Sequence, residues 1–164
     1  MMNVGFTQVL AMIHAALLVW AAIVDLRTRT IPDWVNVAIA LLAPIFWWAI
    51  GIPFYPDAIE RICGAFLIFV AFFGMFALGG MGGGDVKLGS AIALWFAPLV
   101  TLKFFVITSL AGGFISIAAW FYHHKIRRFQ GKTEVPYGVA IAFGGLWLLA
   151  QRFLNQFAGM SPGI

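Results

Sequence analysis

Long apolar runs separated by short polar segments make up almost the whole chain. Read against their polar breaks, these runs predict six helical spans, at about 5–25, 34–51, 59–79, 87–98, 101–122 and 136–154. A helix needs roughly 20 apolar residues to cross a bilayer, and every run except the fourth is close to that length. The pattern therefore predicts an all-α, polytopic membrane protein with about six transmembrane helices and a short fourth span.

The fourth run is too short to cross a membrane comfortably at about 1.5 Å per residue. It follows a glycine-rich stretch and ends at Pro98, where we expect the chain to turn. Irregular backbone at membrane depth is tolerated where protein buries it or where it lines a wet cavity. The glycine-rich residues before the short span are therefore candidates for a functional site.

Composition supports the same class of protein. Of the 164 residues, 63% are hydrophobic and 10% are charged, whereas soluble domains have about 25% charged residues. We therefore expect one membrane-embedded domain over residues 1–164, without a soluble domain beside it. The single cysteine, Cys63, lies in an apolar run and is predicted to be a small buried hydrophobic residue, not a disulfide partner or zinc ligand.

The basic residues predict the orientation of the spans. Seven lie in the 1–2, 3–4 and 5–6 connections: Arg27, Arg29, Lys87, Lys125, Arg127, Arg128 and Lys132. Three lie toward the other side: Arg61, Lys103 and Arg152. Because cytoplasmic loops carry an excess of Lys and Arg, the larger group is predicted to face the cytoplasm. Membrane topology thus explains the net charge of +4, and nucleic acid is not an expected partner.

Two of the six acidic residues stand out because of their position. Asp25 ends an apolar run at the predicted cytoplasmic end of span one, and Asp85 follows GGMGGG at the predicted cytoplasmic start of span four. A carboxylate within the hydrocarbon costs several kcal/mol and usually marks a functional site. Since both lie at the same depth, we expect them to meet. Asp33, which follows Pro32 at the start of span two, is instead predicted to cap that helix.

Two carboxylates in contact have a restricted chemistry. They do not both ionise cheaply, so the pair keeps one proton over a wide pH range. The ionised member acts as a general base on water, while the protonated member polarises a scissile carbonyl. This chemistry needs no metal, no cofactor and no nucleophilic side chain.

Five glycines precede Asp85 in the sequence: Gly79, Gly80, Gly82, Gly83 and Gly84. Backbone without Cβ atoms permits positive φ and the close approach of another chain. We expect strand-like backbone here to bind an extended substrate through main-chain hydrogen bonds. The alternative is that the glycines break the helix or pack against a neighbouring one.

The ordered motifs resemble those of the type IV prepilin peptidase family, the GxGD membrane aspartyl proteases. The segments are DLRTRTIPD from Asp25 to Asp33, GGMGGGDVKL from Gly79 to Leu88, and VPYG from Val135 to Gly138. The resemblance implies that Asp25 and Asp85 are the catalytic pair. Substrate contacts are predicted at Gly82, Gly83, Gly84, Lys87, Pro136, Tyr137 and Gly138.

The function implied by this resemblance is removal of the basic leader peptide from prepilin-like or pseudopilin precursors. Cleavage is expected at the cytoplasmic face of the cell inner membrane, next to the lipids and the pilus-assembly or protein-secretion machinery of a type IV pilus. Bifunctional members of the family also methylate the new N-terminus and carry paired cysteines between early helices. With one cysteine and a 1–2 connection of under about ten residues, this chain resembles the compact Flp (Tad) or preflagellin form. No methyltransferase activity is expected.

Alternatives from other classes remain at this stage. Paired intramembrane acids and a broken, glycine-rich helix also fit a small proton- or cation-coupled transporter, whereas a structural scaffold leaves the costly acids unexplained. Lys87 is expected either to act on the Asp85 carboxylate or to anchor the membrane interface. His14 is predicted to form a hydrogen bond with a neighbouring helix.

Overall fold

The computed structural model describes residues 4–122 and 136–157, and these ranges contain six α-helices and no strand. The helices are α1 (Val4–Thr28), α2 (Asp33–Ala49), α3 (Ile59–Ala77), α4 (Gly83–Ala93), α5 (Pro98–Tyr122) and α6 (Tyr137–Phe157). An irregular π-helical turn, Phe54–Ala58, precedes α3. The predicted all-α class is confirmed.

Within the described ranges, four helical stretches are long and apolar enough to cross a membrane. They are Gly5–Thr28, Phe54–Ala77, Pro98–Phe121 and Tyr137–Asn155. The other two helices are shorter, with 17 residues in α2 and 11 residues in α4. The four long spans agree with the sequence prediction, and a membrane crossing by α2 or α4 stays a prediction.

The predicted bounds of the fourth span, 87–98, are wrong. The helix begins at Gly83 and ends at Ala93. Its early start is explained by Asp85, which occupies the third helical position and accepts a hydrogen bond from the N–H of Gly82 just before the helix. Pro98 begins α5 instead of ending α4, because proline is well suited to the first turn of a helix, where its missing N–H has no intrahelical partner.

Helix α4 lies among the other helices and contacts α2, α3 and α6. Seven of its 11 residues are buried, including Leu88, Ile92 and Asp85 itself. Helix α1 packs against α2 and α6, and α5 packs against α6 and α3. The N-terminal end of α4 is thereby brought to the end of α1 that carries Asp25.

The outward faces of the bundle are strongly apolar. Large hydrophobic side chains such as Trp48, Leu78 and Leu99 are more than three quarters exposed on the described surface. Lipid is the solvent that suits such faces, because lipid tails are as apolar as the side chains. This explains why the prediction of a buried Cys63 is wrong: the thiol is exposed, since an apolar run in a membrane helix covers both its inner and outer faces.

Candidate active site

Asp25 lies in the last turn and a half of α1, with a side chain that is 4% exposed. Its Oδ2 accepts a hydrogen bond from the backbone N–H of Val139 over 3.2 Å. Val139 is the third residue of α6, where backbone N–H groups have no intrahelical acceptor. The positive end of the α6 dipole therefore stabilises negative charge on this carboxylate.

Gly138 permits this contact between α1 and α6. A Cβ atom at position 138 would lie 2.9 Å from both Cγ and Oδ2 of Asp25, and 2.7 Å from Cδ1 of Ile31. Both distances are shorter than any normal contact of a Cβ atom. The glycine at 138 is thus required for the Asp25 carboxylate to reach the end of α6.

Asp85 lies in the first turn of α4, with a side chain that is 7% exposed. Its Oδ2 accepts a hydrogen bond of 3.2 Å from the N–H of Gly82. Gly82 has extended backbone angles, φ −80° and ψ 149°, and so directs its N–H back toward the helix. The end of α4 thus positions the second carboxylate in the same way that the end of α6 positions the first.

Both carboxylates line one cavity of about 310 Å³. Its other lining residues are Arg29, Thr30, Ile31, Asp33, Gly82, Gly83 and Gly84. Asp85 lies outside the four long candidate spans, and its pKa is raised from 3.8 to about 7, mainly by burial and secondly by the negative charge of Asp25. The hydrogen bond from Gly82 opposes this rise. The two acids are therefore close enough for the charge of one to affect the protonation of the other.

The glycines before Asp85 adopt a different backbone from the one that the sequence predicts. Gly79 has a positive φ of 73° in the turn after α3, and Gly82 is extended. Gly83 and Gly84 belong to the first turn of α4. The predicted strand-like stretch is therefore wrong: residues 78–81 form a turn and a bend, and Gly82 is a single extended residue before the helix begins.

Lys87 and Asp33 form an ion pair at the edge of this cavity. Lys87 Nζ donates to Asp33 Oδ1 over 2.8 Å. Both side chains are more than half exposed. Asp33 is in the first turn of α2, as predicted, but no side-chain hydrogen bond caps that helix. Its carboxylate is instead paired with Lys87, so the lysine's observed partner is Asp33 and not Asp85.

The residues of the third motif have different surroundings from one another. Gly138 contacts Asp25, whereas the Tyr137 hydroxyl shares a hydrogen bond of 3.0 Å with Ser116 Oγ on α5. Pro136 is half-buried directly before α6. Val135 lies outside the described residues, as do the basic 5–6 connection with Lys125, Arg127, Arg128 and Lys132, and the acid Glu134. Substrate contacts at Pro136 and Tyr137 stay predictions.

Two neighbours of the site were not found from the sequence. Asn36 is buried on α2, and its Nδ2 donates to the carbonyl of Gly84 over 3.5 Å. A polar residue one helical turn after Asp33 in an apolar span was a usable signal for it. The N–H of Val139 had no such signal, because every residue except proline has one.

Buried polar groups also occur toward the other end of the bundle. Both ring nitrogens of His14 lack a hydrogen-bond partner, so the predicted bond to a neighbouring helix is wrong. The imidazole instead packs against Trp95, with 4.0 Å between ring centroids and the ring planes tilted by 31°. Arg61, expected as a charge of the outer side, is buried and donates to the carbonyl of Trp95 over 3.0 Å.

The fold and the cavity define a class: a helical protein with long apolar spans and two buried aspartates that line one cavity. A model of the Type IV leader peptidase family matches residues 12–117 of this chain, which is more than half of its length. The chain therefore belongs to the Type IV leader peptidase family, a family of aspartic proteases of the membrane. The matched segment includes both Asp25 and Asp85 and ends before the third motif.

A curated relative gives a more distant match. The type 4 prepilin-like proteins leader peptide-processing enzyme of Escherichia coli O78:H11 (strain H10407 / ETEC) is 25% identical to this chain over 142 residues. The alignment covers 82% of this chain and 49% of the relative. This chain thus spans about half the length of the curated relative that it matches. No solved structure matches the chain.

Proposed function

We propose that this chain is an aspartic endopeptidase of the membrane that removes the basic leader of prepilin-like precursors. The observation that carries the proposal is the common cavity of Asp25 and Asp85, two buried carboxylates from different helices. Membership of the Type IV leader peptidase family supports the choice of reaction and substrate class.

The surroundings of the two acids favour a division of roles. Asp25 accepts the N–H of Val139 at the positive end of α6, which suits the ionised form. The raised pKa of Asp85 suits the protonated form. Asp25 then takes a proton from the attacking water, and Asp85 donates its proton to the oxygen of the scissile carbonyl. When the tetrahedral intermediate collapses, the proton held by Asp25 passes to the leaving nitrogen and the C–N bond breaks. The hydroxyl that Asp85 protonated returns its proton to Asp85 as the product carboxyl group forms, so both acids regain their starting protonation states.

We further propose that cleavage takes place at the cytoplasmic edge of the inner membrane. Arg27 and Arg29 lie at the same end of α1 as Asp25, and Lys87 lies two residues beyond Asp85 on α4. An excess of basic residues is typical of the cytoplasmic side. The leader of the precursor is on that side before cleavage, so site and substrate meet without translocation of the leader.

Leader release by the purified protein tests this function. The full chain in detergent micelles is incubated with a prepilin-like precursor from the same organism, and the products are followed by mass spectrometry. Asp25→Asn and Asp85→Asn each keep the shape of the side chain but remove its titration, so each should slow cleavage by at least about 100-fold. Asp57→Asn, at an exposed acid in the turn before α3, is the matched control. Cleavage at the parental rate by either site variant would exclude the dyad.

The same preparation discriminates between the alternatives. A coupled transporter that uses the paired acids would release no leader, and its proton or cation flux into vesicles would depend on Asp25 and Asp85. Family membership favours the peptidase. We also propose that the protein does not transfer a methyl group from S-adenosylmethionine to the processed precursor. A methylated product would contradict this. A Flp-type precursor as substrate stays a prediction from the compact form of the chain.

A further inference from the structure

An apolar groove with a volume of about 540 Å³ lies between α2, α3 and α4. The groove is lined by Val37 and Ala40 from α2, by Ile62, Phe66 and Phe69 from α3, and by Leu94 directly after α4. Phe66 and Val37 are 63% and 54% exposed. The groove is therefore open on its outer side, where it faces the surroundings of the bundle and not its core.

One end of the apolar groove is polar and adjoins the candidate active site. The ion pair of Asp33 and Lys87 lines that end. Asp33 also lines the cavity of Asp25 and Asp85, so the two spaces have a wall in common. From Lys87 to Leu94 the groove extends along α4 for about 10 Å, or roughly two helical turns.

We propose that the apolar groove binds the first turns of the hydrophobic helix of the precursor while its leader junction lies in the Asp25–Asp85 cavity. This inference rests on the proposed function and names where the substrate's membrane segment binds. A precursor with a charged leader followed directly by an apolar helix needs a polar cavity joined to an apolar groove. The common wall at Asp33 supplies that junction, and a helix in an apolar groove is a usual mode of recognition.

A second apolar cleft provides a matched comparison. It lies between α3 and α5, has a volume of about 450 Å³, and is lined in part by Leu67 and Ala71. None of its lining residues lines the cavity of the two aspartates. A lipid chain would fit either cleft, whereas a substrate helix that continues from the active site fits the groove beside α4.

Photo-crosslinking tests the position of the substrate helix. A p-benzoylphenylalanine residue replaces Phe66 in the groove or Leu67 in the second cleft, which are adjacent on α3 and 63% and 67% exposed. Both are made in the Asp85→Asn background, so that the precursor stays uncleaved. We expect a precursor adduct from position 66 that exceeds the adduct from position 67 by about tenfold, since only the former lies along the bound helix. Equal adducts, an adduct of lipid alone, or an adduct of two copies of this chain would overturn the proposal.

Filling the groove gives a second, independent test. Ala40→Trp places an indole in the apolar groove, and Ala71→Trp places the same group in the second cleft. Ala40→Trp should slow cleavage of the full-length precursor by about tenfold or more, because binding energy remote from the reacting bond is lost. Its cleavage of a short soluble peptide across the scissile bond should stay within about twofold of the parent, which also shows that the variant is folded.

The outcomes separate this inference from the proposed function. Ala71→Trp should cleave both substrates like the parent. If Ala40→Trp processes the full-length precursor normally, or loses the short peptide to the same extent, the groove is not the helix site. If the parent protein itself releases no leader, the proposed function fails first, before the groove variants are compared.

Discussion

The N–H of Val139 donates to Oδ2 of Asp25 over 3.2 Å and joins the end of α1 to the first turn of α6. The two residues are 114 positions apart in the chain. A carboxylate at the N-terminal end of a helix is stabilised by free N–H groups and by the helix dipole. The bond therefore holds one of the two buried acids in a defined place and favours its ionised form.

Gly138→Ala should disturb this relationship directly. The new Cβ would lie 2.9 Å from Oδ2 of Asp25, so the carboxylate or α6 has to move. Overpacking of this kind costs about 1–3 kcal/mol, and we expect leader cleavage to fall by at least about tenfold. The initial rate of cleavage and the thermal unfolding midpoint of the purified variant are the measurements.

The matched control for this change is Gly113→Ala on α5, where a Cβ atom would have no neighbour within 4 Å. It should leave both the rate and the unfolding midpoint close to those of the parent. A Gly138→Ala variant that cleaves as fast as Gly113→Ala would show that the contact with Asp25 does not matter for the reaction.

The pH dependence of cleavage should have an alkaline limb near neutrality. The pKa of Asp85 is raised to about 7, mainly by burial, so the carboxyl donates a proton below that pH and is ionised above it. We expect the rate to fall as pH rises through about 7. The rate measured between pH 5 and 9 tests this, with Asp57→Asn as a control that keeps the profile. A rate that is constant up to pH 9 would show that Asp85 is not the proton donor.

The same pKa predicts how stability depends on pH. Because the pKa of Asp85 is higher in the folded protein than its ordinary value of 3.8, the folded state binds more protons between about pH 4 and 7. The free energy of unfolding should therefore decrease as pH rises through that window. Asp85→Asn should flatten this dependence in thermal unfolding, and an unchanged slope in this variant would contradict the assignment.

The ion pair of Asp33 and Lys87 should contribute little to stability. Its side chains are 70% and 55% exposed, and exposed pairs typically contribute about 0.2–1 kcal/mol. Asp33→Asn, Lys87→Gln and the double variant form a thermodynamic cycle in which we expect a coupling energy below about 1 kcal/mol. A coupling above about 2 kcal/mol would mean that the pair is shielded from solvent in the folded protein.

His14→Phe should stabilise the protein. Neither ring nitrogen of His14 has a hydrogen-bond partner, although the side chain is fully buried. A phenyl ring keeps the ring contact with Trp95 and removes two unsatisfied polar atoms, which is worth about 1 kcal/mol or more. The thermal midpoint should rise and leader cleavage should stay unchanged. A lower midpoint would indicate that the imidazole has a partner, such as an ordered water molecule.

The sequence alone determined the fold class, the approximate helices and the two acids of interest. Hydropathy is a property of each short segment, so the apolar runs located α1, α2, α3, α5 and α6 without reference to the rest of the chain. A buried carboxylate is so costly that Asp25 and Asp85 were conspicuous in the sequence itself. The motifs around them were sufficient to indicate the family that the comparison identifies.

Only the tertiary structure decided which groups surround those acids. The partner of Asp25 is a backbone N–H, which no side-chain pattern marks, and Lys87 is paired with Asp33 because the ends of α2 and α4 are adjacent. Packing likewise decided that Cys63 is exposed and that the ring nitrogens of His14 have no hydrogen-bond partner. In an apolar helix the inner and outer faces have similar composition, so packing alone determines which side chains are buried.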